Sequence, residues 1–322
     1  MKNLRVAVLR GGPSEEYEVS MKTGASVIEA LQRLSIPYND IVINRRGEWL
    51  LHGIERTPAD ALFASDVVFI ALHGQYGEDG TVQRLLDRLG IPYVGSGAYS
   101  SALAMNKVLT KEILRDHKIK QPAHLRVTKA GTDVRRLVGT IETLFGPEYI
   151  VKPVSGGSSI DTHHAHNAVE LNSILDDVLS RRDEVLVEEF VRGKEATVGI
   201  VENLRDEAFY SLPAVEIVPP PSHSFFASDV KYDGRTEEIC PGRFSREEKE
   251  ALSAAAILAH QVLGLSHYSR SDFIVNDKGV YFLETNTLPG LTQTSLLPQM
   301  LTAVGHSFDD FILHLLKLAV KK

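Results

Sequence analysis

The sequence predicts an α/β fold that opens with a parallel sheet and passes into mixed α+β architecture. Three observations predict it. Strand and helix patterns alternate over residues 5–94, and the continuous apolar run DVVFIAL at 66–72 ends at His73-Gly74, as a strand buried on both faces does. Beyond Gly193 strand patterns dominate. RSDFIVNDKGVYFLETN at 270–286 sets Val/Ile/Phe/Tyr-rich runs on either side of Asn276-Asp277-Lys278-Gly279, a turn signal between two strands.

In order, the spacing predicts a strand over 5–10, a glycine turn, a helix over 21–34, a short strand at 41–43, the buried strand 66–72, a helix over 80–89 and a strand at 93–94. Ligands gather beyond the carboxyl ends of strands in such open sheets, and both Gly11-Gly12 and His73-Gly74 fall at those ends. SALAMNKVLTKEILRDH reads as one helix over 101–117, stopped by Gln121-Pro122. An α+β unit follows, with strands at 125–127, 149–152 and 184–189 and helices over 134–144 and 168–180. Strands at 195–201, 208–212 and 215–218 lead into 219–241, a stretch rich in Pro, Ser, Asp and Gly without periodicity. That stretch is too long for an ordinary connection and reads as an ordered active-site loop or a disordered segment. A helix over 245–263 precedes the hairpin, and a helix over 307–318 follows it.

At 322 residues the chain suits roughly two or three domains of about 100–200 residues each. The composition, 43% hydrophobic and 24% charged, is that of a globular protein, and a formal charge of −7 without a Lys/Arg cluster argues against a general nucleic-acid surface. No secretory signal and no apolar run of membrane length is read, so the expected compartment is the cytoplasm. The single cysteine, Cys240, excludes an internal disulfide framework and is read as structural or surface-exposed.

The chemistry gathers in five segments. In the hairpin, a three-residue loop at 277–279 sets Asp272 opposite Glu284 and Arg270 opposite Asn286, with Phe273 facing Leu283 and Val275 facing Tyr281. Facing Cβ atoms lie about 4.5–5.5 Å apart, so the two carboxylates repel unless a cation or proton separates them. With the Asn286 carbonyl beside them, these oxygens suit Mg²⁺ held against a substrate phosphate; a solvated polar face is the alternative. In Val151-Lys152-Pro153-Val154-Ser155-Gly156-Gly157-Ser158-Ser159, a lysine at a strand end beside small residues offers charge and open N–H donors to a polyphosphate, without Walker A spacing; a plain surface loop is the alternative. Glu188-Glu189-Phe190-Val191 ends another strand, whose edge can face adenine while Glu188 or Glu195 takes ribose hydroxyls. In HGQYGEDG, His73 is the site candidate, whereas Glu78 and Asp79 read as acids in a helix's first turn. GGPSEEYEVS lacks G-x-G-x-x-G, and its acids suit a substrate ammonium group better than a pyrophosphate. His163, His164 and His166 lack a strict metal-ligand pattern and read as solvated loop positions.

Taken in order, GGPSEEYEVS, HGQYGEDG, YVGSGAYSSALAMNK, VKPVSGGSS, DVKYDG and RSDFIVNDKGVYFLETNTLPGLTQTSLLP closely resemble D-alanine–D-alanine ligases of the ATP-grasp superfamily, over almost the whole chain. The resemblance implies an ATP-grasp fold: an N-terminal α/β domain at 1–104, a small central α+β subdomain at 105–190 and a larger mixed-sheet C-terminal subdomain at 191–322. It implies ATP, two Mg²⁺ ions with Mn²⁺ as substitute, D-alanine as substrate, a homodimer, and no nucleic-acid or membrane partner. The implied reaction joins two D-alanines through a D-alanyl phosphate, for peptidoglycan. By motif position, Glu16 holds the first substrate's ammonium group, with Ser158 and Tyr232 in the same network and His73 near its carboxylate. Arg270 and the Gly290 N–H stabilise the oxyanion, and Ser295 and Leu296 receive the second carboxylate. Lys107, Lys152 and Lys231 contact phosphates; Glu188, Val191 and Glu195 contact adenosine. Asp272, Glu284 and Asn286 ligate the metals, and residues 219–234 form the closing loop.

The chain departs from the family at Ser155-Gly156, at Asp161 and at the start of the 219–234 loop. Tyr232 favours an amine nucleophile, because relatives that make D-alanyl-D-lactate usually differ there. A ligase using D-serine or D-lactate second, and a non-catalytic nucleotide-binding module, are the alternatives. Intact Lys152, Arg270, Asp272, Glu284 and Asn286 weigh against the module, and the missing dinucleotide glycines weigh against a dehydrogenase.

Overall fold

The computed structural model describes residues 4–130, 133–157, 161–220 and 236–321. Three sheets follow one another along the chain. The first third forms β1 (Val6–Gly11), α1 (Tyr17–Arg33), β2 (Tyr38–Ile43), β3 (Trp49–Leu51), β4 (Ile54–Arg56), α2 (Pro58–Leu62), β5 (Val67–Ile70), α3 (Thr81–Leu89) and β6 (Tyr93–Val94). The sheet order is β4-β3-β2-β1-β5-β6, parallel from β2 to β6. Val6–Leu9 and Val67–Ile70 are buried to 1% exposure or less, which accounts for their unbroken apolar runs. The antiparallel edge pair β3–β4 was not anticipated; β4 is exposed throughout and carries no apolar alternation to announce it.

The helix expected over 101–117 is two helices, α4 (Ala98–Met105) and α5 (Lys107–Asp116). Asn106 divides them. Its backbone is extended, its side chain caps α5 by accepting the Leu109 N–H at 3.0 Å, and it bridges to Ser155 of the glycine loop. Asn competes well for such a cap position. The break stations Lys107 beside that loop, its own N–H donating to Val154 O at 2.9 Å.

The second sheet contains β7 (His124–Thr128), β8 (Tyr149–Pro153), β9 (His163–Ala165) and β10 (Glu184–Glu189), with α6 (Val134–Leu144) and α7 (Ala168–Arg181). Its order is β7-β10-β8-β9, antiparallel throughout, over a core that includes Ile141, Val151, Leu171, Leu175 and Val185. His163 and His164 therefore lie on a strand, not in a solvated loop.

The third sheet is built from β11 (Lys194–Leu204), β12 (Glu207–Ser211), β13 (Val215–Val218), β14 (Glu237–Ile239), β15 (Tyr268–Asn276) and β16 (Gly279–Asn286), in the order β14-β13-β11-β15-β16 with β12 on β11. Helix α8 (Arg246–Val262) starts at a capping box of Ser245 and Glu248 and covers this sheet through a core with Val198, Phe273 and Phe282. Leu114 and Ile119 join that core, which ties α5 to the third sheet. Helices α9 (Leu296–Ala303) and α10 (Phe308–Ala319) return to the first sheet, Phe311 and Leu315 sharing a core with Leu31 and Val94.

The hairpin register is as expected at the site and different near the turn. Arg270 faces Asn286 and Asp272 faces Glu284, but Phe273 faces Phe282 and Val275 faces Val280. The loop is two residues, Asp277-Lys278, and the register shifts by one between Asp272 and Phe273. An irregularity of that kind adds one unpaired residue and restores the alignment that a longer loop would give.

Candidate active site

Strand pairing alone brings Asp272 and Glu284 together, and cations hold each in place. Thr197 Oγ1 donates to Asp272 Oδ1 at 2.5 Å, and Arg270 donates through Nε at 3.1 Å and Nη2 at 3.2 Å. Glu284 Oε2 lies 3.4 Å from Lys107 Nζ, which also donates to Gly156 O at 2.6 Å. Asn286 Oδ1 accepts the Leu288 N–H at 2.9 Å. Burial works against the Arg270 charge, but Asp272 first and Glu284 and Glu78 after it hold the guanidinium above its ordinary value. Two carboxylates and an amide oxygen, with positive groups already drawn to them, make an all-oxygen donor set. That set fits Mg²⁺.

One cleft runs between the second and third sheets. Lys152, Glu188, Phe190, Val191, Glu195 and Ile274 are among the residues lining it. At its floor Glu188 is 2% exposed, with Lys111 Nζ 2.8 Å from Oε1 and Lys152 Nζ 2.7 Å from Oε2. Burial alone would raise this carboxyl; the ammonium groups of Lys111 and Lys152 overcome it and hold it down at about 2. Both Glu188 oxygens are thus engaged by lysines, and Glu195 lines the same cleft.

A second cleft lies between the first and third sheets, lined by Glu16, His73, Glu78, Arg270, Gly290 and Ser295 among others. Glu16 stands at the N-terminus of α1 but makes no side-chain cap. Its carboxylate lies instead between Gly74 and Gly157: a Cβ on Gly74, whose φ is +67°, would come within 2.6 Å of Glu16 Oε2, and one on Gly157 within 3.0 Å. The positive φ at Gly74 itself favours glycine there. His73 is buried, with Nδ1 2.9 Å from Leu288 O and Nε2 2.8 Å from Thr23 Oγ1. Burial lowers its pKa, so the neutral ring donates from Nδ1 to the carbonyl and accepts the Thr23 hydroxyl at Nε2. His73 thereby ties α1 to the segment that carries Gly290. Ser295 Oγ accepts the Thr292 N–H at 3.1 Å, and Ser295 and Leu296 open α9, where unpaired N–H groups and the helix dipole favour an anion.

The two clefts meet. Lys107, Gly156, Gly157 and Glu284 line both. Glu16, His73, Lys107, Arg270, Asp272, Glu284, Asn286, Gly290, Ser295 and Leu296 thus converge with Lys152, Glu188, Val191 and Glu195, whereas Ser158, Lys231, Tyr232 and the loop over 221–234 lie outside the described residues. Three side chains escaped sequence reasoning: Lys111, Thr197 and Glu78. Lys111 had a signal, since it follows Lys107 by four residues on one helix face. Neither Glu78 nor Asp79 lies in a helix's first turn, because α3 begins at Thr81 with Gly80 at its N-cap; Glu78 is buried in the cleft, and Asp79 accepts the Tyr76 and Thr81 N–H groups at 2.9 Å just ahead of the helix. Cys240 is half-buried against the first core, and burial pushes its thiol up, as suits a structural cysteine.

The profile of the D-ala D-ala ligase C-terminus matches residues 113–317, and that of the N-terminus matches 52–96. The D-alanine–D-alanine ligase of Desulfotalea psychrophila is 40% identical over 327 residues, covering 100% of this chain and 96% of its own. The chain belongs to the D-alanine–D-alanine ligase family. Among solved structures of this family, the Coxiella burnetii D-alanine–D-alanine ligase superposes with a TM-score of 0.84 at 25% identity, over 100% of this chain and 95% of that one. The D-Ala:D-Ser ligase VanG of Enterococcus faecalis superposes with a TM-score of 0.83 at 28% identity, over 98% and 99%. As in those ligases, the architecture is that of the ATP-grasp enzymes.

Proposed function

We propose that this enzyme joins two D-alanines at the expense of ATP, using the junction of the two clefts as the point of phosphoryl transfer. The carrying observation is that Lys107 and Glu284 line both clefts, so a phosphate reaching from one meets a carboxylate held in the other. The three units 1–104, 105–190 and 191–322 supply the walls. Adenosine lies along Val191 and the edge of β10 with Glu195 on the ribose; Lys107 and Lys152 face the phosphates, the role that motif position also gives Lys231.

Glu16 takes the ammonium group of the first D-alanine, and motif position assigns Ser158 and Tyr232 to the same network. A carboxylate oxygen of that substrate attacks the γ-phosphorus, the bond to the β-phosphate oxygen breaks, and ADP leaves. The second D-alanine, its carboxylate at Ser295 and Leu296, gives one ammonium proton to water, attacks the acyl carbon through nitrogen, and gives a second proton to the departing phosphate as the amide forms. Arg270 and the Gly290 N–H receive the oxyanion, and collapse expels phosphate. Asp272, Glu284 and Asn286 hold two Mg²⁺ ions, or Mn²⁺, which when bound neutralise the phosphate oxygens. His73 keeps the Gly290 segment aligned. Among the described residues no helix is long and apolar enough to cross a membrane; a cytoplasmic homodimer without nucleic-acid partners is the assembly we assign.

The likeness to VanG supports a second reading, D-serine as the second substrate. Phosphate release with ATP and Mg²⁺ decides between them: release with D-alanine alone supports the first, and release that needs D-serine supports the second. Nucleotide binding with no amino-acid-dependent phosphate overturns both.

A further inference from the structure

Among the described residues, one group of three side chains with metal-ligating atoms is Glu148, His164 and His166, on the outer strand pair of the second sheet. Pairing explains how they meet. Tyr149 faces Ala165 and Ile150 faces His164, so the same register carries Glu148 opposite His166, with His164 two residues along on that face. Their ligand atoms all lie within 4.8 Å of one another, and the Glu148 Oε2 to His164 Nε2 separation is 3.3 Å. A tetrahedral ion with bonds of about 2.0–2.1 Å holds its ligand atoms roughly 3.3–3.5 Å apart. One edge of that tetrahedron is already formed, and the His164 and His166 rings sit 4.1 Å apart.

We propose that Glu148, His164 and His166 form a binding site for a divalent transition metal of the Zn²⁺ class, separate from the Mg²⁺ site of the reaction. Two imidazoles and one carboxylate select Zn²⁺, Ni²⁺ or Cu²⁺, whereas the all-oxygen set at Asp272, Glu284 and Asn286 selects Mg²⁺. The two sites therefore sort metals by donor type. The His164 side chain is only 7% exposed, while His166 is exposed and gives the ion its way in. Arg192 pairs with Glu148 Oε1 and competes with the metal for that carboxylate.

The site also borders the adenosine cleft. His164 stacks on Phe190 at 4.1 Å with planes 29° apart, the Phe190 N–H donates to Glu148 O at 2.9 Å, and Phe190 lines the cleft. An ion drawing Glu148 and His164 together stiffens the wall against which adenine packs.

Calorimetric titration of ZnCl₂ into the full chain tests this, with Mg²⁺ and ADP saturating so that the catalytic oxygens are filled. One saturable equivalent is expected. His166→Ala, at an exposed position that spares the core, is expected to weaken it at least about tenfold, and Arg192→Ala to tighten it. Melting curves without zinc establish that both variants fold. Absence of saturable binding to the wild type, or the same affinity in His166→Ala, overturns the site.

Discussion

Asp272 and Glu284 face each other across β15 and β16, and a different cation answers each: Arg270 on Asp272, Lys107 on Glu284. The pair is thus charge-balanced before any metal arrives; because the Glu284 side chain is 30% exposed and Lys107 keeps its bond to Gly156 O, replacing Glu284 by its amide should leave the fold alone. Glu284→Gln is expected to lower Mg²⁺-dependent phosphate release by about 10²-fold or more, since a catalytic metal contributes several kcal/mol to the transition state. The melting temperature should stay within a few degrees of wild type. Near-normal turnover would sink the metal assignment.

Glu188 sits between two buried lysines, and removing Lys111 leaves it paired with Lys152 alone. Lys111→Met is expected to destabilise the fold by about 1.5–3 kcal/mol, the usual cost of losing one hydrogen bond to a charged group while Lys152 still compensates the carboxylate. The acid dependence should change as well. Because Glu188 is held at about 2 against an ordinary 4.5, the unfolded chain takes up its proton first as pH falls. Its contribution to stability is complete above the ordinary value and drains away between there and about 2. Urea titrations across that window should show a steep acid limb in the wild type and a flatter one in the variant. Equal slopes would mean that Lys111 does not set the Glu188 charge.

Much of this site was legible because strand chemistry is local. The alternation around Asn276–Gly279 set Asp272 against Glu284, and the strand ends at His73 and Lys152 pointed to the clefts. What was not legible depended on long-range geometry. A two-residue turn with a one-residue register shift and a three-residue turn give the same Arg270–Asn286 pairing, so the apolar pattern could not separate them. Asn106 looks like any polar helix residue until Ser155 arrives to bridge it. Glu78 is an ordinary first-turn acid in sequence; only the fold buries it beside Glu16. His164 on β9 and His166 just beyond it gain meaning from Glu148, more than a dozen residues away, across a strand pairing that loop-like composition concealed.

His73 is engaged on both nitrogens, so its partner Thr23 can be altered without touching the ring. The Thr23 hydroxyl lies 2.8 Å from His73 Nε2, and Thr23 Oγ1 also meets the Leu291 N–H at 3.4 Å. Thr23→Val keeps the shape and removes both bonds. About 1 kcal/mol per lost hydrogen bond translates to a drop of roughly 5- to 30-fold in kcat/KM for D-alanine, because the segment bearing Gly290 loses its alignment. KM for ATP, which we assign to the other cleft, should not move. A matching change in KM for ATP would show a general loosening of the fold rather than a misplaced oxyanion donor.

Glu78 provides the opposite pH signature to Glu188. Burial first, then the neighbouring Glu16 carboxylate, push its carboxyl well above the ordinary 4.5, against the lowering effect of the Gly74 N–H 3.3 Å away and of Arg270. The folded protein therefore keeps a proton that the unfolded chain gives up. That contribution to stability is whole below the ordinary carboxylate value and is lost as pH rises through the raised one. Glu78→Gln mimics the protonated acid and cannot ionise. Wild type and variant should melt together at about pH 5, and the wild type should fall several degrees behind the variant by about pH 9. If instead the gap between them stays constant across that range, Glu78 is ionised throughout and the buried proton does not exist.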